Sequence, residues 1–87
     1  MTLRIETASD GATTTLRLIG RIESNYLAEL GAQVRRHRPH IVLDLDEVTL
    51  VDLDVVRYLI ACEAVGLELR NCAPYIRQWM DNERKSE

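Results

Sequence analysis

The chain has 87 residues, 46% of them hydrophobic, with no Phe, one Trp and a formal net charge of −3. A chain this short makes one small domain, residues 1–87, which buries roughly 60–65% of the surface its unfolded form exposes, and its core must be aliphatic. The acidic balance argues against a dedicated nucleic-acid binder, no apolar run approaches the roughly 18 residues of a membrane span, and MTLRIETASD lacks the basic-then-apolar pattern of a signal peptide.

Taken in chain order, Leu3 to Thr7 alternates apolar and polar residues and reads as a half-buried strand. Ser9-Asp10-Gly11 is a turn signal, and Thr13 to Ile19 is rich in β-branched residues, so the first two strands are expected to form an antiparallel hairpin, with Gly20 ending the second. Ser24 or Asn25 is placed to cap a helix. In that helix Leu27, Leu30, Gly31 and Val34 share a face, and Gly31 would let the backbone approach the sheet. Arg35, Arg36, His37 and Arg38 crowd its last turn, where cations complement the helix dipole, and Pro39 stops it.

Ile41 to Leu45 is nearly all apolar and reads as a central parallel strand covered on both faces. A helix from about Leu53 to Val65 should bury Val55, Val56, Leu59, Ile60 and Cys62 and end at Gly66. Leu67 to Leu69 is a short strand. Pro74 fits the first turn of a last helix, in which Tyr75, Ile76, Trp79 and Met80 form an apolar stripe, and 82–87 is a charged, frayed tail. The order is β-β-α-β-α-β-α. Each strand-helix-strand unit is long enough for a right-handed parallel crossover. The expected α/β fold is a small mixed four-stranded sheet, an N-terminal hairpin plus parallel strands, with three helices packed mainly on one side.

The segment between the third strand and the second helix draws most interest, because α/β folds place function where a core strand gives way to a helix. It is acidic, with Asp46, Glu47, Asp52 and Asp54, and no catalytic partner is apparent. Asp52 is a good N-cap and Asp54 favours the helix dipole; both also present negative charge to a basic partner surface. Leu53 would make a dry contact if it faces solvent and would be core if it folds under. Asp44, Asp46, Asp52 and Asp54 together offer hard oxygen ligands for Mg²⁺, the basis of an acidic-pocket enzyme as an alternative reading. A phosphoacceptor of the response-regulator kind lacks its parts, since the only Lys is Lys85 in the tail. Ser24 and Thr49 are the other hydroxyls near this segment.

Glu63 falls on an apolar arc beside Leu59 and Val56, where it would pair with Arg70 or Arg77 or reach solvent. The Arg35 to His40 basic stretch offers charge to phosphates, RNA or an acidic membrane surface, though closing a helix already explains it, and His37 and His40 suggest neither ligand nor base. Cys62 and Cys72 have neither CxxC nor Cys/His spacing and read as reduced, buried thiols of a cytosolic protein.

Three pieces of the chain resemble the STAS domain, the fold of bacterial anti-sigma factor antagonists. LRLIGRIES, Leu16 to Ser24, resembles the family's strand ending in Gly before the first helix. HIVLDLDEVTLVDLDVVRYL, His40 to Leu59, resembles the signature segment IVLDLSxVxFIDSSGLGxL. Gly66 with Leu67-Glu68-Leu69, followed by Pro74 to Asp81, resembles the fourth strand and its following helix. The likeness implies a non-enzymatic, cytoplasmic protein-binding module of bacterial signalling and transcription regulation. Its partner would be an anti-sigma factor or GHKL-type kinase that phosphorylates a hydroxyl directly after the loop Asp.

That Asp matches Asp52, but Leu53 occupies the hydroxyl position, Asp54 the next and Val55 the usual Gly. No phosphorylation is expected at Leu53. The resemblance therefore implies partner contacts from Ser24, Asn25, Thr49, Asp52, Leu53, Asp54 and Arg57, with no metal and no cofactor. The chain also ends after its third helix, where the family adds a further strand and helix, which favours a partner or a homodimer over an open edge. STAS-like proteins also serve as soluble subunits of ABC-type lipid transporters, which makes a transporter ATPase the alternative partner.

Overall fold

A computed structural model describes residues 3–37 and 40–85. Its sheet begins with β1 (Arg4–Asp10) and β2 (Thr13–Ile22), joined by the two-residue turn Gly11-Ala12. Gly11 takes a φ of +64° at the first turn position, the backbone a tight hairpin needs there. β1 starts and ends later than its alternation indicated, because Ser9 and Asp10 pair with Thr14 and Thr13 instead of turning.

Gly20 does not end β2. It sits inside the strand with φ +97°, and pairing continues to Ile22. The chain then enters a 3-10 turn, Ser24–Tyr26, and α1 (Leu27–His37). Neither Ser24 nor Asn25 caps α1 with its side chain; Glu23 precedes the 3-10 turn without a side-chain capping bond, its carboxylate pairing with Arg21 instead. Leu30, Gly31 and Val34 are the buried residues of α1, as their spacing predicts. A Cβ on Gly31 would lie 3.8 Å from the Tyr58 hydroxyl and 3.3 Å from the Arg35 guanidinium, so this glycine admits a neighbouring helix rather than the sheet. Arg38 and Pro39 lie outside the described residues.

β3 is Ile41–Val51, more than twice the length the sequence indicated, and it runs through what read as an acidic loop. The cause is local. Parallel pairing with β2 skips a β3 residue twice, once between Asp44 and Glu47 and once between Val48 and Leu50. Each extra residue is a bulge that resets the inward side. The buried positions therefore fall at Leu45, Val48 and Val51, three apart, a spacing that does not look like a strand.

Asp52 opens α2 (Leu53–Ala64). At its other end the Gly66 N–H bonds the Glu63 carbonyl and the Leu67 N–H bonds the Cys62 carbonyl, each at 3.0 Å, with Gly66 at φ +96°. This is the left-handed stop expected of Gly66. β4 (Glu68–Arg70) follows one residue later than predicted, and α3 (Pro74–Lys85) runs past the Asp81 end that its charged tail suggested; 86–87 lie outside the described residues.

The sheet order is β1-β2-β3-β4, antiparallel between β1 and β2 and parallel thereafter, with three helices packed on one side. Leu16, Leu18, Ile22, Leu43 and Leu45 face the helices and meet Leu30, Val55, Val56, Leu59, Ile76 and Met80 in one aliphatic core. No polar or charged side chain among the described residues is buried. The opposite face carries Arg17, Asp44, Glu47, Glu68 and Arg70, with ion pairs Arg17–Glu47 and Arg70–Glu68. β3 is thus covered by helices on one face only, contrary to its apolar reading. Val42 is its one buried residue outside the core, flooring a polar hollow with Thr13, His40, Glu68 and Arg70.

Candidate functional site

β2 and β3 are parallel, so their C-terminal ends lie together, and this is where most of the predicted contact residues gather. Asp52 ties them. Its Oδ1 accepts from the Val55 N–H at 3.1 Å, capping α2, and its Oδ2 accepts from the Ser24 N–H at 2.8 Å. One carboxylate thus satisfies a donor at the start of α2 and another at the start of the 3-10 turn. The cap reading of Asp52 accounts for the first bond; the link to Ser24 was not visible in sequence.

Around this junction the surface is part apolar and part acidic. Leu53 is 37% exposed and Leu50, just before the junction, 49% exposed. Asp54 and Asn25 are exposed, and neither side chain bonds to a described residue. Tyr75, 48% exposed at the start of α3, donates its hydroxyl to the Thr49 carbonyl at 3.1 Å and so borders the same patch. Leu50 was missed in sequence because it follows the second bulge and faces out where strand alternation is lost, and Tyr75 because it read as part of the apolar stripe of α3, whose buried members are Ile76 and Met80. Thr49 is exposed and uses only its backbone oxygen in that bond.

Arg57 is exposed on α2, as expected. It pairs with Glu83 of α3 at 3.5 Å. Glu63, nearly two turns on, binds Arg77 through two bonds of 2.9 and 3.0 Å and also binds Arg84, so α2 and α3 are fastened by charge along their length. Of its two anticipated partners, Arg77 is the one used; Arg70 binds Glu68. The bonded Arg77 guanidinium holds the Glu63 carboxyl below its ordinary value, partial burial opposes this, and Arg84 adds to the lowering. The same bond raises Arg77. Burial pushes the half-buried Cys72 thiol up, against the pull of Arg77. Cys62 is buried, as expected, and Cys72 is not fully so.

The carboxylates that suggested Mg²⁺ are not assembled. Asp44 Oδ1 accepts from the Asp46 N–H at 3.0 Å and from Asn71 Nδ2 at 3.1 Å on the open sheet face, while Asp52 is engaged by two backbone N–H groups. Among the described residues no group of three or more Asp, Glu, His or Cys is gathered as a cation would need. No helix among them is long and apolar enough to cross a membrane. The chain matches no protein-family model, and no curated protein matches it significantly.

Proposed function

We propose that this chain is a STAS-like, non-enzymatic protein-binding module of the bacterial cytoplasm, docking on an anti-sigma factor or GHKL-type kinase. The observation that carries the reading is the exposure of Leu50 and of Leu53, with Asp54 next to the latter in the chain, at the end of the sheet where strands hand over to helices. Exposed aliphatic side chains rimmed by acid suit a partner with an apolar socket and basic surroundings. The order β-β-α-β-α-β-α, the antiparallel first strand and the one-sided helices are in keeping with the resemblance. Asp52 supports the reading by fixing the junction, so the contact surface is held before a partner arrives.

Because Leu53 has no hydroxyl, docking through this turn is constitutive rather than switched by phosphate at that position. Leu53→Glu should weaken a GHKL-type kinase partner by at least about tenfold, or 1.4 kcal/mol, while changing stability by no more than about 0.5 kcal/mol. Affinity capture from the source cells with wild-type and Leu53→Glu protein, followed by titration calorimetry on the captured partner, tests this. A kinase retained equally by both proteins removes this face from the proposal; an ABC-type ATPase lost on Leu53→Glu assigns the face to a transporter instead. Incubation with ATP and the captured kinase, with the product mapped by mass spectrometry, checks the constitutive claim. Phosphate on Ser24 or Thr49 refutes it.

A further inference from the structure

The outer edge of β1 has a property that the docking surface at the C-terminal ends of β2 and β3 does not explain. β1 is the first strand of the sheet, seven residues long, with unbroken register against β2 and no Pro. Such edges are usually shortened, bulged or covered, because their free backbone groups template pairing. A two-residue loop closes on the hydrogen-bonded pair Asp10–Thr13. Alternation then turns the N–H and C=O groups of Arg4, Glu6, Ala8 and Asp10 toward β2, and those of Ile5, Thr7 and Ser9 outward.

A second copy can meet this edge about a twofold axis normal to the sheet, which pairs the strands antiparallel and keeps both sets of helices on one side. Three registers centred within the strand compare as follows. Centring on Glu6 sets Glu6 against Glu6 of the other copy. Centring on Ala8 sets Glu6 against Asp10. Centring on Thr7 opposes Arg4 to Asp10 twice, Glu6 to Ala8 and Ile5 to Ser9, with no like charges opposed, and uses every residue of β1. It also makes Thr7–Thr7 and both Ile5–Ser9 sets the hydrogen-bonded pairs, so every outward N–H and C=O of the strand finds a partner. A centre on Ile5 also opposes unlike charges, Arg4 to Glu6, but it reaches past the start of the strand and leaves Ser9 unpaired, so the extent of backbone bonding selects Thr7 among the registers that charge allows.

We propose that β1 is a self-complementary edge through which two copies of this chain form a symmetric dimer, centred on Thr7, with one continuous eight-stranded sheet. This does not rest on the docking reading and leaves the Leu50–Leu53 surface open. Sedimentation velocity over a concentration series reads the dimer. Thr7→Pro removes an outward N–H that β2 does not use, so the hairpin tolerates it while the dimer is lost.

Arg4→Asp alone and Asp10→Arg alone each place like charges opposite one another and should raise the dimer dissociation constant at least about tenfold. Mixing those two variants should restore the wild-type value as a heterodimer, which mere loss of folding could not do. Thr7→Cys should cross-link on oxidation, because opposed hydrogen-bonded residues have Cα atoms about 5.5 Å apart, within disulfide reach. Glu6→Cys, and wild-type protein carrying Cys62 and Cys72, should not. A wild-type chain that stays monomeric throughout the series overturns the proposal. So does a dimer indifferent to Thr7→Pro, a mixture that does not associate, or cross-linking through Glu6→Cys.

Discussion

At Asp52 a single carboxylate holds the start of α2 and the segment leading into α1, through the Val55 and Ser24 N–H groups. Removing an N-cap acceptor costs about 0.5–2 kcal/mol, and a bond to a charged acceptor contributes about 1.5–3 kcal/mol. Asp52→Ala should therefore destabilise the protein by about 2–3 kcal/mol, more than a simple cap. Asp52→Asn keeps one acceptor oxygen and turns an amide toward the other N–H, so about half the loss should remain. Urea unfolding followed by circular dichroism checks the order wild type, Asn, Ala; an Ala variant within about 0.5 kcal/mol of wild type would mean that the Ser24 bond has no energetic weight. Leu53 contrasts with its neighbour. Its exposure leaves little stability to lose, which is why it suits a binding test and Asp52 does not.

Helices α2 and α3 meet through Ile76 and Met80 below and through Glu63, Arg77, Arg84, Arg57 and Glu83 above. Glu63 is the only acid in this set bonded to two arginines, and its folded carboxyl titrates below its unfolded value, held there first by Arg77. The stability it adds is therefore complete above the unfolded pKa of about 4.3 and is lost as pH falls through the lower folded value. Both arginines are more than a third exposed, so solvent limits the effect to about 0.5–1 kcal/mol. Glu63→Gln should remove that much of the drop in urea stability between pH 6 and pH 3; parallel acid limbs for the two proteins would show that the clamp is silent. The helices were legible in sequence because Leu30, Gly31 and Val34, or Val55, Val56, Leu59 and Cys62, keep a helical stripe, and Gly66 supplies the stop. β3 was not, because its two bulges space Leu45, Val48 and Val51 by three and hide six residues of strand as an acidic loop. The same bulges expose Leu50. At the junction, the Asp52 cap was thus legible in sequence, and the length of the strand that leads into it was not.

Taken as a whole, the molecule is a sheet with one face greased and one face charged, and the two faces can be separated on a single strand. Val42 and Val51 both belong to β3 and are each 5% exposed, yet only Val51 packs into the core. Val42 lies over the polar hollow shared with Thr13, His40, Glu68 and Arg70. A Val-to-Thr exchange keeps volume and β-branching and adds a hydroxyl, whose cost depends on whether water can reach it. Val51→Thr buries that hydroxyl among aliphatic side chains and should cost about 1–3 kcal/mol. Val42→Thr sets it at the edge of the hollow, where water or the Glu68 carboxylate can bond it, and should cost less than about 1 kcal/mol. For a domain whose total stability is on the order of 5–10 kcal/mol, that difference is resolved by urea midpoints at a common slope. Equal losses at the two positions would mean that the charged face is covered after all, and the one-sided architecture, with its free strand edge at β1 and its docking surface at the strand ends, would have to be rebuilt around whatever covers it.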